Sequence, residues 1–319
     1  MTALLLLIAL VAGIAGYVSW ASHWIAHGAP VWWFAVGAPL AYFAPALALV
    51  PLWFTLAWVW RTPRPPEARL GCAATLLMFL NEVWAVASSW PVMVLHRLLI
   101  HDPTPGPSAR PVILVHGVLV NDGVWFRLRR FLRQRDIAPV YTVNYGPPLA
   151  NIESFAEQLG TRIEEVRAAT GAERVVLVTQ SMGGLVAREY LRRFGCERVA
   201  VLITVGTPHH GSMLAYSFPG ICLAQMHPGN RWLAELNRDE GTAAPVPITS
   251  IWSRHDSMVA PQASAVLASA ENIALIAIGH NALVGDRRVM SIVADKILNV
   301  SATAEPPPHA ASEAHLSLR

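Results

Sequence analysis

Charged positions are missing from the first sixty residues and then return in a regular alternation with apolar runs. From Met1 to Trp60 there is no Asp, Glu, Lys or Arg, as expected of segments that sit in lipid rather than water. Ala3 to Trp20 is long enough for one membrane span. Val31 to Trp60 is ample for a second, in which Pro39, Pro45 and Pro51 introduce kinks. Trp20, Trp24, Trp32 and Trp33 bracket the short connection in the manner of interfacial aromatics. A cleavable signal peptide is disfavoured because the first segment has no basic n-region, and the second segment would still anchor the chain. Arg61, Arg64 and Arg69, opposed only by Glu67, place the next loop in the cytoplasm. Leu70 to Leu95 is apolar or small apart from Asn81 and Glu82. A mid-span carboxylate costs about 2.5–3.5 kcal/mol unless it faces other helices, so the expectation is a third span with Glu82 in a structural contact inside the bundle. That topology carries the remaining chain outside, whereas an interfacial helix would leave it in the cytoplasm.

After a Pro- and Gly-rich linker at 101–111, the pattern changes to that of a folded soluble domain over 112–300. Continuous apolar runs at Pro111–Val118, Pro139–Tyr145, Val175–Gln180, Arg198–Gly206, Val246–Ser253 and Ile273–Ile278 predict buried strands. Helical periodicity covers Asn151–Thr170, Met182–Phe194 and Asp286–Leu298, with Asn151 and Asp286 as helix starts. The alternation predicts an α/β class, a doubly wound, mainly parallel sheet with its site at the carboxyl ends of the strands. Residues 301–319 have the composition of a disordered tail, and 1–100 form the helical transmembrane region.

Candidate chemistry lies where these strands end. The run through Val178-Thr179-Gln180 breaks at Ser181 and resumes as a helix at Met182-Gly183-Gly184, the signature of a nucleophile elbow. Small neighbours are needed there; Gly183 meets the demand, and Thr179, standing where the usual pattern has glycine, must pack away from the turn. The strand before His116-Gly117-Val118 ends in a glycine turn, so the amide of Val118 can join that of Met182 in a two-donor oxyanion hole. His116 reads as a structural holder of its loop. Of the acids between Ser181 and the later histidines (Glu189, Glu197, Glu235, Asp239, Glu240, Asp256 and Glu271), Asp256 alone follows a predicted strand by a few residues. The chain order Ser, acid, His then leaves His280, His309 and His315. The last two fall in the proline-rich and polar tail, so His280 is the expected base.

With these four segments, residues 110–300, about three-fifths of the protein, resemble the α/β-hydrolase superfamily, specifically its compact bacterial lipases and esterases. Gly206-Thr207-Pro208-His209-His210-Gly211-Ser212 and Met226-His227-Pro228-Gly229-Asn230, leading into Trp232–Asn237, are similar to stretches that shape the acyl pocket in those enzymes. The resemblance implies a membrane-anchored serine ester hydrolase in which Ser181 attacks, His280 is the base and Asp256 orients it. An acyltransferase or thioesterase would use the same triad, and a non-enzymatic membrane protein with a degenerate hydrolase domain is the reading from another class. The expected partners are a lipid or other acyl ester and the membrane.

No metal or organic cofactor is implied, since His209 and His210 are adjacent, without nearby Cys or spaced carboxylates, and read as loop packing. A net charge of +3 with scattered arginines argues against nucleic acid and leaves room for a mild preference for anionic headgroups. Cys72, Cys196 and Cys222 have neither metal spacing nor a disulfide framework.

Overall fold

A computed structural model describes residues 2–238, 244 and 246–302. Most of the proposed tail, with His309 and His315, lies outside the described residues. Six parallel strands form one sheet: β1 (Val112–Val115), β2 (Val140–Val143), β3 (Val175–Gln180), β4 (Val199–Val205), β5 (Ile248–Ser253) and β6 (Glu271–Leu275), in the order β2-β1-β3-β4-β5-β6. Because successive side chains leave opposite faces of a strand, Val112 and Leu114 enter one core with Val176 and Val178, while Ile113 and Val115 enter a second with Val175 and Leu177. This is why β1 to β5 read as unbroken apolar runs: both faces are covered; β6, expected to be buried as well, lies at the sheet edge with Glu271, Asn272 and Ala274 exposed.

The helices in chain order are α1 (Thr2–Ala26), α2 (Val31–Val59), α3 (Cys72–Val94), α4 (His96–Leu99), α5 (Phe126–Arg133), α6 (Ile152–Thr170), α7 (Met182–Phe194), α8 (Ile221–Gln225), α9 (Arg231–Leu236) and α10 (Arg287–Ala302). Leu128 and Leu132 of α5 and Val289, Val293 and Ile297 of α10 fill the first core; α6 and α7 supply Phe155, Leu159, Ile163, Leu185 and Tyr190 to the second. Asn151 caps α6 by accepting from the Ser154 amide at 2.7 Å, as its position at the start of the periodic run suggested.

Helices α1, α2 and α3 are all long and apolar enough to cross a membrane. Their surroundings differ. Only Ala21 of α1 is buried. In α3, by contrast, Met78, Glu82, Val83, Val86, Ala87 and Met93 are buried. The face of α3 bearing Val83, Val86 and Ala87 packs against Ala46 and Val50 of α2, and Tyr42 of α2 donates to the Ala87 carbonyl at 2.8 Å. Further along, α3 is fastened to the sheet domain: Asn121 donates to the Met93 carbonyl at 2.9 Å. A Cβ on Gly123 would stand 2.8 Å from the Val92 carbonyl oxygen, so glycine permits that approach.

The loop after α2 is fastened to the same domain. The Thr62 amide donates to Gln262 at 3.0 Å, Thr62 Oγ1 accepts from the Ala263 amide at 2.9 Å, and Arg64 Nε donates to the Arg254 carbonyl at 2.9 Å. A bilayer cannot separate groups joined by hydrogen bonds. The loop bearing Arg61, Arg64 and Arg69, which the three-span expectation sets across the membrane from the sheet domain, is here hydrogen-bonded to that domain. Glu82, expected in a contact inside the helix bundle, has its hydrogen-bond partners instead in the loops that follow β5 and β6.

Candidate functional site

Strand β3 delivers Ser181 into a backbone conformation with φ 55° and ψ −129°, outside the regions that non-glycine residues favour. Several contacts hold it there. Its amide donates to the Val205 carbonyl at 2.9 Å, and its carbonyl accepts from the Gly184 amide at 3.1 Å and from Thr207 Oγ1 at 2.9 Å. Gly183 is required by proximity, because a Cβ there would lie 2.5 Å from the Val115 carbonyl oxygen. Thr179 resolves its departure from the usual glycine by full burial, donating to the Ile203 carbonyl at 3.2 Å.

The expected base, His280, and acid, Asp256, lie in the loops after β6 and β5. His280 Nδ1 lies 2.9 Å from Asp256 Oδ2, and both residues are buried. The other carboxylate oxygen accepts from the Met258 and Val259 amides at 2.8 and 2.7 Å, so the acid is fixed from behind. Burial by itself would lower the His280 pKa, but the field of Asp256, its hydrogen bond and the more distant field of Glu82 outweigh it, and the net shift is upward. With Nδ1–H donated to Asp256, Nε2 carries the lone pair. The side-chain amide of Gln180 lies 3.3 Å from it, the Gln180 N–H donating and His280 Nε2 accepting. Gln180 was not singled out from sequence, because its partner is a hundred residues away.

Ser181 and His280 line one cavity of about 240 Å³. Its walls are apolar and come from two sources. Val118, Leu214, Phe218, Leu223 and Met226 belong to the sheet domain, and Leu6, Trp53, Val86, Trp90 and Met93 to the N-terminal helices. Pro208, Ser212 and Met226 bring both of the expected pocket-shaping stretches to this cavity. Val118 lines it beside Ser181, and Met182, as the first residue of α7, carries an amide with no acceptor within the helix.

His116 and His209 have packing partners. His116 Nδ1 meets the Gly117 carbonyl at 2.8 Å and its ring stacks on Tyr145 at 4.3 Å; burial pulls its pKa down to about 4. His209 is buried between Thr204 Oγ1 at 3.2 Å and Arg188 at 3.4 Å, and burial lowers its pKa strongly. Among the described residues, no group of three His, Cys, Asp or Glu side chains could hold a metal ion.

Comparison with known proteins gives relatives of the same kind. The chain is 37% identical over 117 residues to a triacylglycerol lipase of Pseudarthrobacter phenanthrenivorans, covering 33% of this chain and 35% of that protein. It is 37% identical to a triacylglycerol lipase of Burkholderia plantarii over 33% of this chain and 31% of that one. The chain thus spans about a third of the length of these curated relatives. Among solved structures, Aspergillus fumigatus lipase B superposes with a TM-score of 0.55 at 21% identity, covering 64% of this chain and 57% of that one. The mature form of Bacillus licheniformis lipase BlEst2 superposes with a TM-score of 0.53 at 18% identity, covering 61% and 96%. At those identities the superpositions speak for the fold alone. The model of the alpha/beta hydrolase family matches residues 112–313, more than half of the protein and the whole of the sheet: the chain belongs to the alpha/beta hydrolase family.

Proposed function

We propose that this protein is a membrane-anchored serine ester hydrolase of the lipase and carboxylesterase kind. The observation that carries the reading is the buried His280–Asp256 pair, at 2.9 Å, opening on the same apolar cavity as the strained Ser181 elbow. Ser181 Oγ attacks the ester carbonyl and gives its proton to His280 Nε2, once the Gln180 amide yields that position. The Val118 and Met182 amides stabilise the oxyanion. His280 passes the proton to the leaving alcohol, Asp256 holds the imidazole in the required tautomer, and water then releases the acyl group by the same relay. The acyl chain lies against Trp53, Val86, Trp90 and Met93, so the substrate is an apolar acyl ester reaching the site from beside the N-terminal helices.

In the membrane, α1 and α2 form a hairpin whose turn, with Trp20, Trp24, Trp32 and Trp33, sits at the far interface. At 1.5 Å per residue, α1 is about 37 Å long, enough for a hydrocarbon core of about 30 Å. The basic loop at 61–69 shares a side with the catalytic unit, which favours the cytoplasmic side for both. Helix α3 lies along the catalytic unit instead of crossing. The catalytic assignment is tested with full-length protein in detergent. It should hydrolyse p-nitrophenyl acyl esters and be labelled by a fluorophosphonate, and Ser181→Ala should abolish both. Undiminished labelling of that variant would remove Ser181 from the role.

A further inference from the structure

The acid of an otherwise apolar helix has ended up wholly buried against the catalytic loops. Glu82 Oε1 accepts from Ser257 Oγ at 2.8 Å and from the amide and side chain of Asn281, both at 2.9 Å; Oε2 accepts from the Ala282 amide at 3.0 Å. All four partners are donors, the set that a carboxylate satisfies. Ser257 follows Asp256 in the chain, and Asn281 and Ala282 follow His280. Ser257 Oγ also accepts from the His280 amide at 3.2 Å, completing a short relay from the histidine backbone through the serine hydroxyl to Glu82. A Cβ on Gly279 would stand 2.4 Å from Glu82 Oε2, so the residue before His280 is one that lets the carboxylate in.

We propose that Glu82 is a positioning residue of the active site: a carboxylate supplied by α3 that clamps the loops of Asp256 and His280 to each other and to the membrane-proximal helices. A carboxylate that only neutralised local donors would satisfy one loop. This one joins two, and they are the two whose separation sets the His280–Asp256 hydrogen bond. The enzyme therefore assembles its base only when α3 is docked. The charged groups acting on the His280 ring are Asp256 and Glu82, so Glu82 also supplies part of the field that favours the imidazolium formed during attack.

The inference rests on the triad reading, and its test keeps the two apart. Wild type, Ser181→Ala, Glu82→Gln and Ser257→Ala are compared in detergent by fluorophosphonate labelling and by kcat and KM across pH. Glu82→Gln keeps the shape but loses the charge and turns an amide N–H toward the Ala282 donor. It should lower kcat by about 10²-fold, the scale of a misplaced catalytic group, with KM within about twofold. The acid limb of kcat/KM should move to lower pH, because an anion that favours protonated His280 is gone. Glu82→Asp should recover part of the lost rate. A Glu82→Gln enzyme with wild-type kcat and an unmoved acid limb would overturn the proposal. If that variant fails to fold, Ser257→Ala decides, since it cuts the relay and leaves the charge: a fall in kcat of about tenfold supports the clamp, and unchanged kcat overturns it. Failure of wild type to label at Ser181 would strike the triad reading instead.

Discussion

Helices α1 and α3 are close in length and both pass as membrane spans by hydropathy, yet they have opposite fates. α1 exposes Leu4, Leu7, Ile8, Val11, Ile14 and Val18 and buries only Ala21. α3 exposes Leu76, Leu77, Leu80 and Trp84 on one side and buries Glu82, Val86 and Met93 on the other. Length and apolar composition admit both as spans, because lipid and a protein core are both apolar solvents. What separates them is one ionisable group and its partners: a carboxylate with four donors within 3.0 Å belongs to protein, not to lipid. In the proposed arrangement, a helix that lies along the enzyme does not carry it across, so the catalytic unit shares a side with the basic loop.

The comparison would break most completely in a topology measurement. A phosphatase reporter fused after Arg319 should be inactive, and a reporter that works only in the cytoplasm should be active, because in the proposed arrangement α1 and α2 return the chain to its starting side. Robust extracytoplasmic phosphatase activity would mean that α3 crosses the bilayer and that its contacts with the catalytic unit do not hold in the membrane.

A smaller effect sharpens the comparison residue by residue. Val11 lies at the middle of α1 and is 57% exposed, while Leu77 on α3 is 67% exposed. Val11→Lys should cost about 2.5–3.5 kcal/mol of insertion, the price of a central lysine in a span, and should reduce the fraction of chain that resists alkaline extraction. Leu77→Lys should cost much less, since a helix lying at the interface lets the ammonium snorkel to water. Equal losses from both substitutions would place the two helices in the same environment.

How far these features were legible in the sequence follows from where their partners lie. α7 spans Met182–Phe194 as read, because both of its ends are local: the elbow at Ser181 and Gly195 with φ 84°. The apolar run at Ile273–Ile278 was legible as a strand but not in its burial or its true length, because β6 is the edge strand of the sheet. β6 covers Glu271–Leu275, and beyond it Ile276 is exposed, Ala277 has φ 60° and Ser253 donates to the Ile278 carbonyl at 2.6 Å, so the run finishes as a loop that is buried only from Ile278 on. Ser181, Asp256 and His280 could each be proposed from a strand end and a chain order. Glu82 drew attention as an acid in an apolar run, but its partners sit 175 to 200 positions later. Nothing in a linear reading distinguishes them from another helix of the same bundle.

Gln180 tests the finest part of the contrast, at the Nε2 edge of the His280 ring. Its amide approaches His280 Nε2 at 3.3 Å, and its Oε1 is buried without a partner among the described residues. The contact is long and engages the lone pair that must receive the Ser181 proton, so it stabilises neutral His280 and competes with the nucleophile. Gln180→Ala should therefore speed fluorophosphonate labelling of Ser181 by about two- to fivefold, in keeping with the loss of a hydrogen bond worth up to about 1 kcal/mol. The acid limb of kcat/KM should move slightly upward, because the neutral imidazole loses a donor. This is opposite in sign to the shift expected of Glu82→Gln, so the two substitutions separate the two influences on one ring. Labelling slowed tenfold with the fold intact would show instead that Gln180 holds His280 in its productive place.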